Sequence, residues 1–200
     1  MKRLVLASAN PGKLAEIEAL LAPLAVEVVP QTALGIGEAE EPHCTFLENA
    51  LAKARHASRA SGLPALADDS GLCVDALGGE PGVHSAHYAG REGSREERDA
   101  RNNAKLLRSL GNERSAHYVC VLVLLRHPED PRPLVAEGLW HGEIARAPRG
   151  SNGFGYDPLF CVPALGKTAA ELAPAEKNRI SHRGKALGRL VDLLHGPGRD

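Results

Sequence analysis

Several features that mark particular classes of protein are scarce in this sequence of 200 residues. Lysine and arginine (24) nearly balance aspartate and glutamate (25), and the net charge of −1 gives no global basic field like that of many nucleic-acid-binding proteins. No apolar run approaches the length of a membrane span, and residues 4–7 are too short for the apolar core of a signal peptide. We therefore expect a cytoplasmic protein that binds neither nucleic acid nor membrane.

Cysteine is rare and dispersed, since Cys44, Cys73, Cys120 and Cys161 form no CxxC pair. In a chain of this length we expect reduced cysteines in or near the core rather than a disulfide framework. The HExxH, GxSxG and Walker A motifs are absent as well, and no GxGxxG follows a predicted strand. The sequence therefore gives no support for a zinc protease, an α/β-hydrolase, a P-loop enzyme or a dinucleotide-binding fold.

Apolar strands and amphipathic helices alternate along the chain. Strands are predicted at residues 2–7, 26–30, 117–125 and 133–145. The third is a near-continuous apolar run, typical of a central strand buried on both faces, and the fourth contains a predicted irregularity at Gly138. This alternation predicts a mixed α/β unit, and we expect a single domain over residues 1–200.

Start and stop signals frame the predicted helices. The first helix begins near Lys13, and its apolar residues follow helical spacing. The predicted start and stop residues of the later helices are, in order, Thr45 and Gly62, Ser94 and Gly111, and Ser181 and Gly196. The first two of these starts are followed three residues later by Glu48 or Glu97, which fits a capping box.

The segment SANPGK, residues 8–13, lies between a predicted strand and a predicted helix. Such a turn presents backbone N–H groups and the positive end of the helix dipole, which favour an anion such as phosphate. Lys13 adds a full positive charge, and Asn10 can donate or accept a hydrogen bond. A plain turn with a solvated lysine is the alternative.

The segment ADDSG places Asp68 and Asp69 side by side between two apolar runs. Two carboxylates next to buried chain are costly unless something compensates their charge, and Mg²⁺ with bound phosphates would do so. A tight turn in which one aspartate caps the backbone explains the same residues equally well.

Charged residues precede and occupy the second predicted helix. Glu38, Glu40 and Glu41 lie just before it, and Asn49 and Lys53 are four residues apart on one of its faces. For both groups a solvated surface is the default interpretation.

The loop SNGFGYDPLF, residues 151–160, concentrates aromatic residues in a chain that has only 4% of them. Gly153 and Gly155 allow a ligand to approach the backbone closely, and an aromatic side chain on such a loop can stack on a base. Aromatic residues that close the edge of the core are the alternative.

The segment EKNRISHRGKAL, residues 176–187, brings basic residues to the start of the final predicted helix. They are Lys177, Arg179, His182, Arg183 and Lys185. Cations at the positive end of a helix dipole are unfavourable unless an anion is bound, which favours recognition of a phosphate or a base edge. A solvated basic helix start is the alternative.

Taken in order, SANPGK, TFLENALAKA, ADDSGL, GFGYDPLF and KNRISHRGKAL resemble the RdgB/Ham1 family of pyrophosphatases over nearly the whole chain. The resemblance implies hydrolysis of the non-standard purine nucleotides ITP, dITP and XTP to the nucleoside monophosphate and pyrophosphate, with Mg²⁺ as cofactor. It also implies an α/β fold of the ITPase type, with a mixed, elongated central sheet flanked by helices and two lobes around an active-site cleft. A homodimer is expected.

The resemblance further assigns roles to individual residues. It implies that Asp69 is the catalytic base and a metal ligand together with Glu40 or Glu41, of which we favour Glu40. It implies substrate contacts by Ser8, Ala9, Asn10, Pro11, Gly12, Lys13, Lys53, Ser70, Phe154, Gly155, Tyr156, Asp157, Lys177, His182 and Arg183. We expect base-edge contacts from Asp157, His182 and Arg183, and stacking on Phe154.

Two alternatives to this function stay open at the level of sequence. The first is a Maf-type pyrophosphatase that acts on pyrimidine or modified nucleotides. The second is a nucleotide-binding module without catalytic activity, against which the intact pair of acids argues.

Overall fold

In the computed structural model, which describes residues 2–24 and 26–195, seven strands form one sheet in the order β2-β1-β3-β4-β5-β6-β7. The strands are β1 (Arg3–Ala7), β2 (Glu27–Pro30), β3 (Ala65–Val74), β4 (Ser115–Leu125), β5 (Leu134–Ile144), β6 (Phe160–Val162) and β7 (Lys167–Thr168). Strand β1 pairs in parallel with β2 and β3, whereas β6 pairs antiparallel with β5 and β7. The sheet is therefore mixed, as predicted.

Five α-helices accompany the sheet in the described residues. They are α1 (Pro11–Leu21), α2 (Phe46–Ser61), α3 (Arg95–Ser109), α4 (Pro174–Ile180) and α5 (His182–His195). The predicted α/β fold class is confirmed. None of these described helices is long and apolar enough to span a membrane.

The described residues divide into two compact units. Unit 1 comprises the described parts of Met1–Asp69, Cys120–Gly138 and His182–Asp200, and unit 2 comprises Ser70–Val119 and Leu139–Ser181. Strands β3, β4 and β5 each contribute residues to both units. A single domain over residues 1–200 stays a prediction.

The core of unit 1 forms where the apolar side chains of α1 pack against the strands. Ile17 and Leu21 of α1 are buried, and they belong to one cluster with Leu6 of β1, Leu66 of β3 and Leu122 of β4. Residues three or four apart on a helix share a face, so α1 buries one apolar stripe here. The pattern Leu14, Ile17, Leu20, Leu21 in the sequence was sufficient to predict this contact face.

The core of unit 2 contains most of the few aromatic side chains. Tyr118 packs against Phe160 and Trp140, with ring centroids 4.6 and 6.3 Å away, and Tyr156 belongs to the same cluster. Large rings bury much apolar area per residue, which explains how a chain poor in aromatics builds this core. The predicted central strand β4 runs through it and is buried over nearly its whole length.

The helix boundaries follow the predicted capping residues, with small differences. Ser94 and Glu97 form both halves of a capping box at α3, whereas the carboxylate of Glu48 accepts a hydrogen bond from the Thr45 hydroxyl rather than from a backbone N–H. Helix α2 ends at Gly62, whose φ of 68° lies in the left-handed region. The predicted stop at Gly196 lies outside the described residues.

The final helix, α5, begins at His182, directly after its predicted start Ser181, and the short helix α4 before it was not predicted. Two predictions about local structure need correction. Helix α1 begins at Pro11 rather than near Lys13, because Asn10 caps it by accepting a hydrogen bond from the Lys13 N–H. All four cysteines are free, as expected, but Cys44 is exposed rather than in or near the core.

The prediction at Gly138 also needs correction, because β5 runs through this position without the predicted irregularity. A Cβ atom built on Gly138 would lie 2.0 Å from the backbone oxygen of His182 and 2.6 Å from the backbone nitrogen of Ala186. The glycine is therefore required by the close approach of α5 to the strand, and not by a bulge.

We predict that Gly138→Ala destabilises the protein, whereas Gly188→Ala on the exposed side of α5 stabilises it. The first change forces backbone against backbone, an overpacking cost of about 3 kcal/mol. The second meets no atom within 4 Å and gains about 1 kcal/mol in helix propensity. Denaturant unfolding of both variants measures the free energy of unfolding, and a Gly138→Ala protein as stable as the wild type would contradict the packing.

Candidate active site

The two adjacent acids lie inside a continuous strand. Strand β3 includes both Asp68 and Asp69, and both residues are buried. The tight turn that the sequence allowed is therefore wrong. Successive side chains of a strand point to opposite faces, so the two carboxylates have different surroundings.

Asp68 is compensated on both oxygens. Lys13 Nζ lies 2.6 Å from Oδ1, Arg183 Nε lies 2.8 Å from Oδ2, and the Cys120 thiol donates to Oδ2 at 3.1 Å. Burial alone would raise the pKa of Asp68, but Arg183 and Lys13 outweigh it and hold this pKa well below its usual range. Asp68 is thus an internal anion held by the cations of α1 and α5.

Arg183 belongs to the same internal ion network. It is fully buried, and besides Asp68 its guanidinium binds the carboxylate of Glu16 on α1. Burial would lower the pKa of Arg183, but the two carboxylates raise it above its usual value. The guanidinium is directed to Asp68 and Glu16 within unit 1, and the predicted contact of Arg183 with a base edge stays a prediction.

Asp69 and Glu41 share one ammonium group. Lys53 Nζ lies 2.8 Å from Asp69 Oδ1 and 3.0 Å from Glu41 Oε1. The burial of Lys53 would lower its pKa, yet the carboxylates of Asp69 and Glu41 raise it overall. Lys53 is 9% exposed, so the default interpretation of a solvated helix face is wrong.

The buried face of α2 also positions the acidic loop before it. Asn49 accepts a hydrogen bond from the His43 N–H and donates one to the His43 carbonyl, at 3.1 and 3.2 Å. This pair of bonds fixes the chain two residues after Glu41. Asn49 and Lys53, four residues apart on α2, therefore act on the same loop.

The second oxygen of Asp69 has the properties of a ligand or a proton acceptor. Asp69 Oδ2 is buried and has no hydrogen-bond partner among the described residues. Burial raises the pKa of Asp69 above its usual value, although Lys53 opposes this shift. A buried carboxylate oxygen that nothing satisfies is costly, and Mg²⁺, which prefers carboxylate oxygens, fits it.

The residues brought near Asp69 favour Glu41 over Glu40 as its acidic neighbour. Glu41 reaches the ammonium that also binds Asp69, whereas Glu40 is exposed and forms no ion pair among the described residues. Among residues 2–24 and 26–195, no three His, Cys, Asp or Glu side chains are grouped closely enough to hold a metal by themselves. A metal here would therefore need ligands from its substrate, as is usual for Mg²⁺.

The segment at residues 8–13 is more than a turn with a solvated lysine. The Ser8 hydroxyl accepts a hydrogen bond from the Asn10 N–H at 3.2 Å, and the Asn10 side chain caps α1. The Lys13 side chain is only 14% exposed and is directed to Asp68. Ala9 and Gly12 are half-buried and Pro11 is exposed, so this helix start lies at the surface of unit 1.

In unit 2, Asp157 organises the predicted aromatic loop. Its Oδ2 accepts hydrogen bonds from the Phe154 N–H at 2.9 Å and from Lys177 Nζ at 2.5 Å, and its Oδ1 accepts one from the Tyr118 hydroxyl at 3.2 Å. Asp157 and Lys177 are both buried. Both of its oxygens bind groups of unit 2, and the predicted contact of Asp157 with a base edge stays a prediction.

The two aromatic residues of this loop have different surroundings. Tyr156 is buried, and its hydroxyl donates to the Ser85 carbonyl at 2.9 Å, so it closes the core. Phe154 is half-buried, with the Arg95 guanidinium 4.8 Å and the Lys177 ammonium 5.0 Å from its ring centroid. Stacking therefore remains a prediction for Phe154, whereas the side chain of Tyr156 is a packing residue.

Two further predicted contacts have less definite surroundings. Ser70 follows Asp69 in β3 and is half-buried, and His182 is the buried first residue of α5. Their predicted contacts with substrate stay predictions.

Several residues of these clusters were missed in the sequence. In unit 1 they are Glu16 and Cys120, and in unit 2 they are Asp99 and Asn103, which bind the backbone of Gly155. Helical spacing could have indicated Glu16, three residues after Lys13 on α1. Cys120 carried no local signal, because only the pairing of strands brings its thiol to Asp68.

Comparison with known proteins places this geometry in a family. A model of the Ham1 family matches residues 4–193. The dITP/XTP pyrophosphatases of Ralstonia nicotianae and Nitrosomonas europaea are 66% and 63% identical over 196 residues, which cover 97% of this chain and 97% and 95% of theirs. A solved HAM1 protein from Coxiella burnetii is 50% identical, with a TM-score of 0.89 over 98% of this chain and 100% of that chain. Because the family model and these relatives span nearly the full sequence, the chain belongs to the Ham1 family.

Proposed function

We propose that this chain hydrolyses dITP, XTP and ITP to the nucleoside monophosphate and pyrophosphate, and thereby removes non-standard purines from the nucleotide pool. The observation that carries the proposal is the buried Asp69, which offers one free carboxylate oxygen beside the ammonium of Lys53. The relatives named as dITP/XTP pyrophosphatases support the choice of substrate class. The Maf-type and non-catalytic alternatives are not favoured.

Lys13 and Lys53 provide the positive charge for the triphosphate. Each is largely buried and each binds a carboxylate of β3, so the ammonium groups are held in place before substrate arrives. Fixed cations stabilise the charge that develops on phosphate oxygens with little reorganisation. The start of α1, capped by Asn10, adds the positive end of a helix dipole.

Asp69 is the proton acceptor in the proposed reaction. A water oxygen forms a bond to the α-phosphorus, the bond from that phosphorus to the bridging oxygen breaks, and pyrophosphate leaves. The proton of the water passes to the buried carboxylate of Asp69. Burial favours this transfer, because it raises the pKa of Asp69.

Mg²⁺ is the proposed cofactor, with Asp69 and Glu41 as the residues that would hold it. The free Oδ2 of Asp69 and the position of Glu41 on the shared Lys53 fit an oxygen-binding cation. When bound, Mg²⁺ supplies neutralisation of phosphate charge. Lys53 keeps the two carboxylates together before the cation binds.

The aromatic loop of unit 2 supplies the proposed recognition of the purine. Phe154 is the proposed stacking residue, and Lys177 beside its ring is a proposed donor to the 6-oxo group that hypoxanthine and xanthine share. A donor fixed on that group disfavours adenine, which has an amino group there, by leaving the donor unpaired. Guanine must be excluded at its 2-amino group.

A cytoplasmic location and a homodimer complete the proposal.

Turnover of a nucleotide panel tests the substrate class. With Mg²⁺ present, we expect ITP, dITP and XTP to be hydrolysed about 10²-fold or more faster, by kcat/KM, than ATP, GTP and dTTP. Pyrophosphate, and not phosphate, should be the direct product. Preferential turnover of dTTP would favour the Maf-type alternative, and binding of ITP without hydrolysis would favour the non-catalytic module.

Paired substitutions of the two acids separate catalysis from stability. We expect Asp69→Asn to lower kcat by about 10²- to 10⁴-fold with little loss of stability, because Lys53 keeps Glu41 as its partner. We expect Asp68→Asn to lower the free energy of unfolding by about 3 kcal/mol, because the buried charge of Arg183 loses a partner. Steady-state kinetics and thermal unfolding are measured on both variants, and wild-type turnover by Asp69→Asn would refute the mechanism.

Removal of divalent metal tests the cofactor. Treatment with EDTA should abolish turnover of dITP, and excess Mg²⁺ should restore it, since the free oxygen of Asp69 then regains its ligand. Full activity after exhaustive chelation would show that Lys13 and Lys53 suffice for phosphate neutralisation.

A further inference from the structure

One face of helix α3 binds the backbone of the Phe154 loop, defined as residues 153–157. Asp99 Oδ2 accepts a hydrogen bond from the Gly155 N–H at 3.0 Å, and Asn103 Nδ2 donates to the Gly155 carbonyl at 2.9 Å. Arg95, one turn earlier, lies 4.8 Å from the centroid of the Phe154 ring. Residues 95, 99 and 103 are spaced by four and therefore form a single stripe along the helix.

The loop needs these side chains because its backbone is not part of a strand or a helix and so lacks their regular hydrogen bonds. Gly153 and Gly155 have φ values of 74° and 62°, in the left-handed region, so the segment turns sharply without helical or strand pairing. Within the loop the Asp157 N–H donates to the Phe154 carbonyl at 3.2 Å, and the remaining polar backbone groups need other partners. Asp99 and Asn103 satisfy both backbone groups of Gly155, and Asp157 satisfies the N–H of Phe154.

The result of these bonds is a fixed position for a ring that is only half-buried. Closing the core does not require it, because Tyr156 fills that role in the same loop. The peptide groups on both sides of Phe154 are held by side chains, one from Asp157 in the loop and one from Asp99 on α3, which is the arrangement expected of a presented contact residue. Arg95, which lies over the Phe154 ring, forms an ion pair at 3.9 Å with Asp99, which binds the Gly155 N–H. Both contacts with the loop therefore come from neighbouring side chains of α3.

We propose that Asp99 and Asn103 are positioning residues for purine recognition, which act by holding the Phe154 ring where a base stacks on it. The proposal rests on the proposed function of the chain as a purine nucleoside triphosphate pyrophosphatase. Neither residue touches the substrate. Their effect is on binding of the base, so it appears in KM, while the proton transfer at Asp69 and hence kcat is unchanged.

Substitutions of Asp99 and Asn103 test the two hydrogen bonds. Asp99→Ala removes the acceptor and Asn103→Asp replaces the donor by a carboxylate that faces the Gly155 carbonyl. Each should raise KM for dITP about 3- to 10-fold, the effect of one lost hydrogen bond, with kcat within about twofold of the wild type. Asp99→Asn keeps an acceptor oxygen and should restore a KM near that of the wild type.

Glu96→Ala is the matched control, since Glu96 is an exposed acid on the same helix. It should leave KM unchanged. Equal KM values for Asp99→Ala and the wild type, or equal increases for Asp99→Ala and Asp99→Asn, would overturn the proposal. A fall in kcat without a change in KM would overturn it as well.

Hydrogen exchange without substrate separates this proposal from the proposed function. The amides of residues 153–157 should exchange about 3- to 10-fold faster in Asp99→Ala than in the wild type, because the Gly155 N–H loses its acceptor. Unchanged exchange would show that α3 does not hold the loop. Faster exchange in a protein that fails to hydrolyse dITP or XTP would instead refute the proposed function and leave the positioning of the ring intact.

Discussion

The buried carboxylate of Asp68 is the charge around which unit 1 is organised. A carboxylate in the interior is stable only if cations accompany it, and Lys13 of α1 and Arg183 of α5 do so. Because these two helices and β3 must meet for the charges to pair, the ion network fixes their mutual arrangement within the unit. Glu16 of α1 extends this ion network, since its carboxylate binds the Arg183 guanidinium as well.

The neighbouring Asp69 shows how one step along a strand separates two roles. Asp68 has cations on both oxygens and stays ionised, whereas Asp69 has Lys53 on one oxygen and a second oxygen that is free among the described residues. The pKa of the first is lowered and that of the second is raised. The same residue type therefore serves as a structural anion and as a candidate base, according to which face of the strand it occupies.

Unit 2 uses an equivalent device to present an aromatic ring. The saturated carboxylate is Asp157, whose partners are Lys177, Tyr118 and the backbone of Phe154. Helix α3 holds the next peptide through two polar side chains. In both units a buried acid is bound by internal contacts. The residue that remains available for a ligand is Asp69, next to Asp68, in unit 1, and Phe154, three residues before Asp157, in unit 2.

The sequence alone predicted strands β1, β2, β4 and β5 and helices α1, α2, α3 and α5, because periodicity and caps such as Thr45 and Ser94 are local signals. It did not predict β3, which carries both acids, nor β6, β7 and α4. Its ordered motifs also indicated the family and the stretches that carry the site. Only the tertiary structure decided which acid is saturated and that Glu41, rather than Glu40, lies on Lys53. Arg183 shows the physical reason: its partner Asp68 is 115 residues away, and no local pattern encodes a contact that forms only when distant segments are buried together.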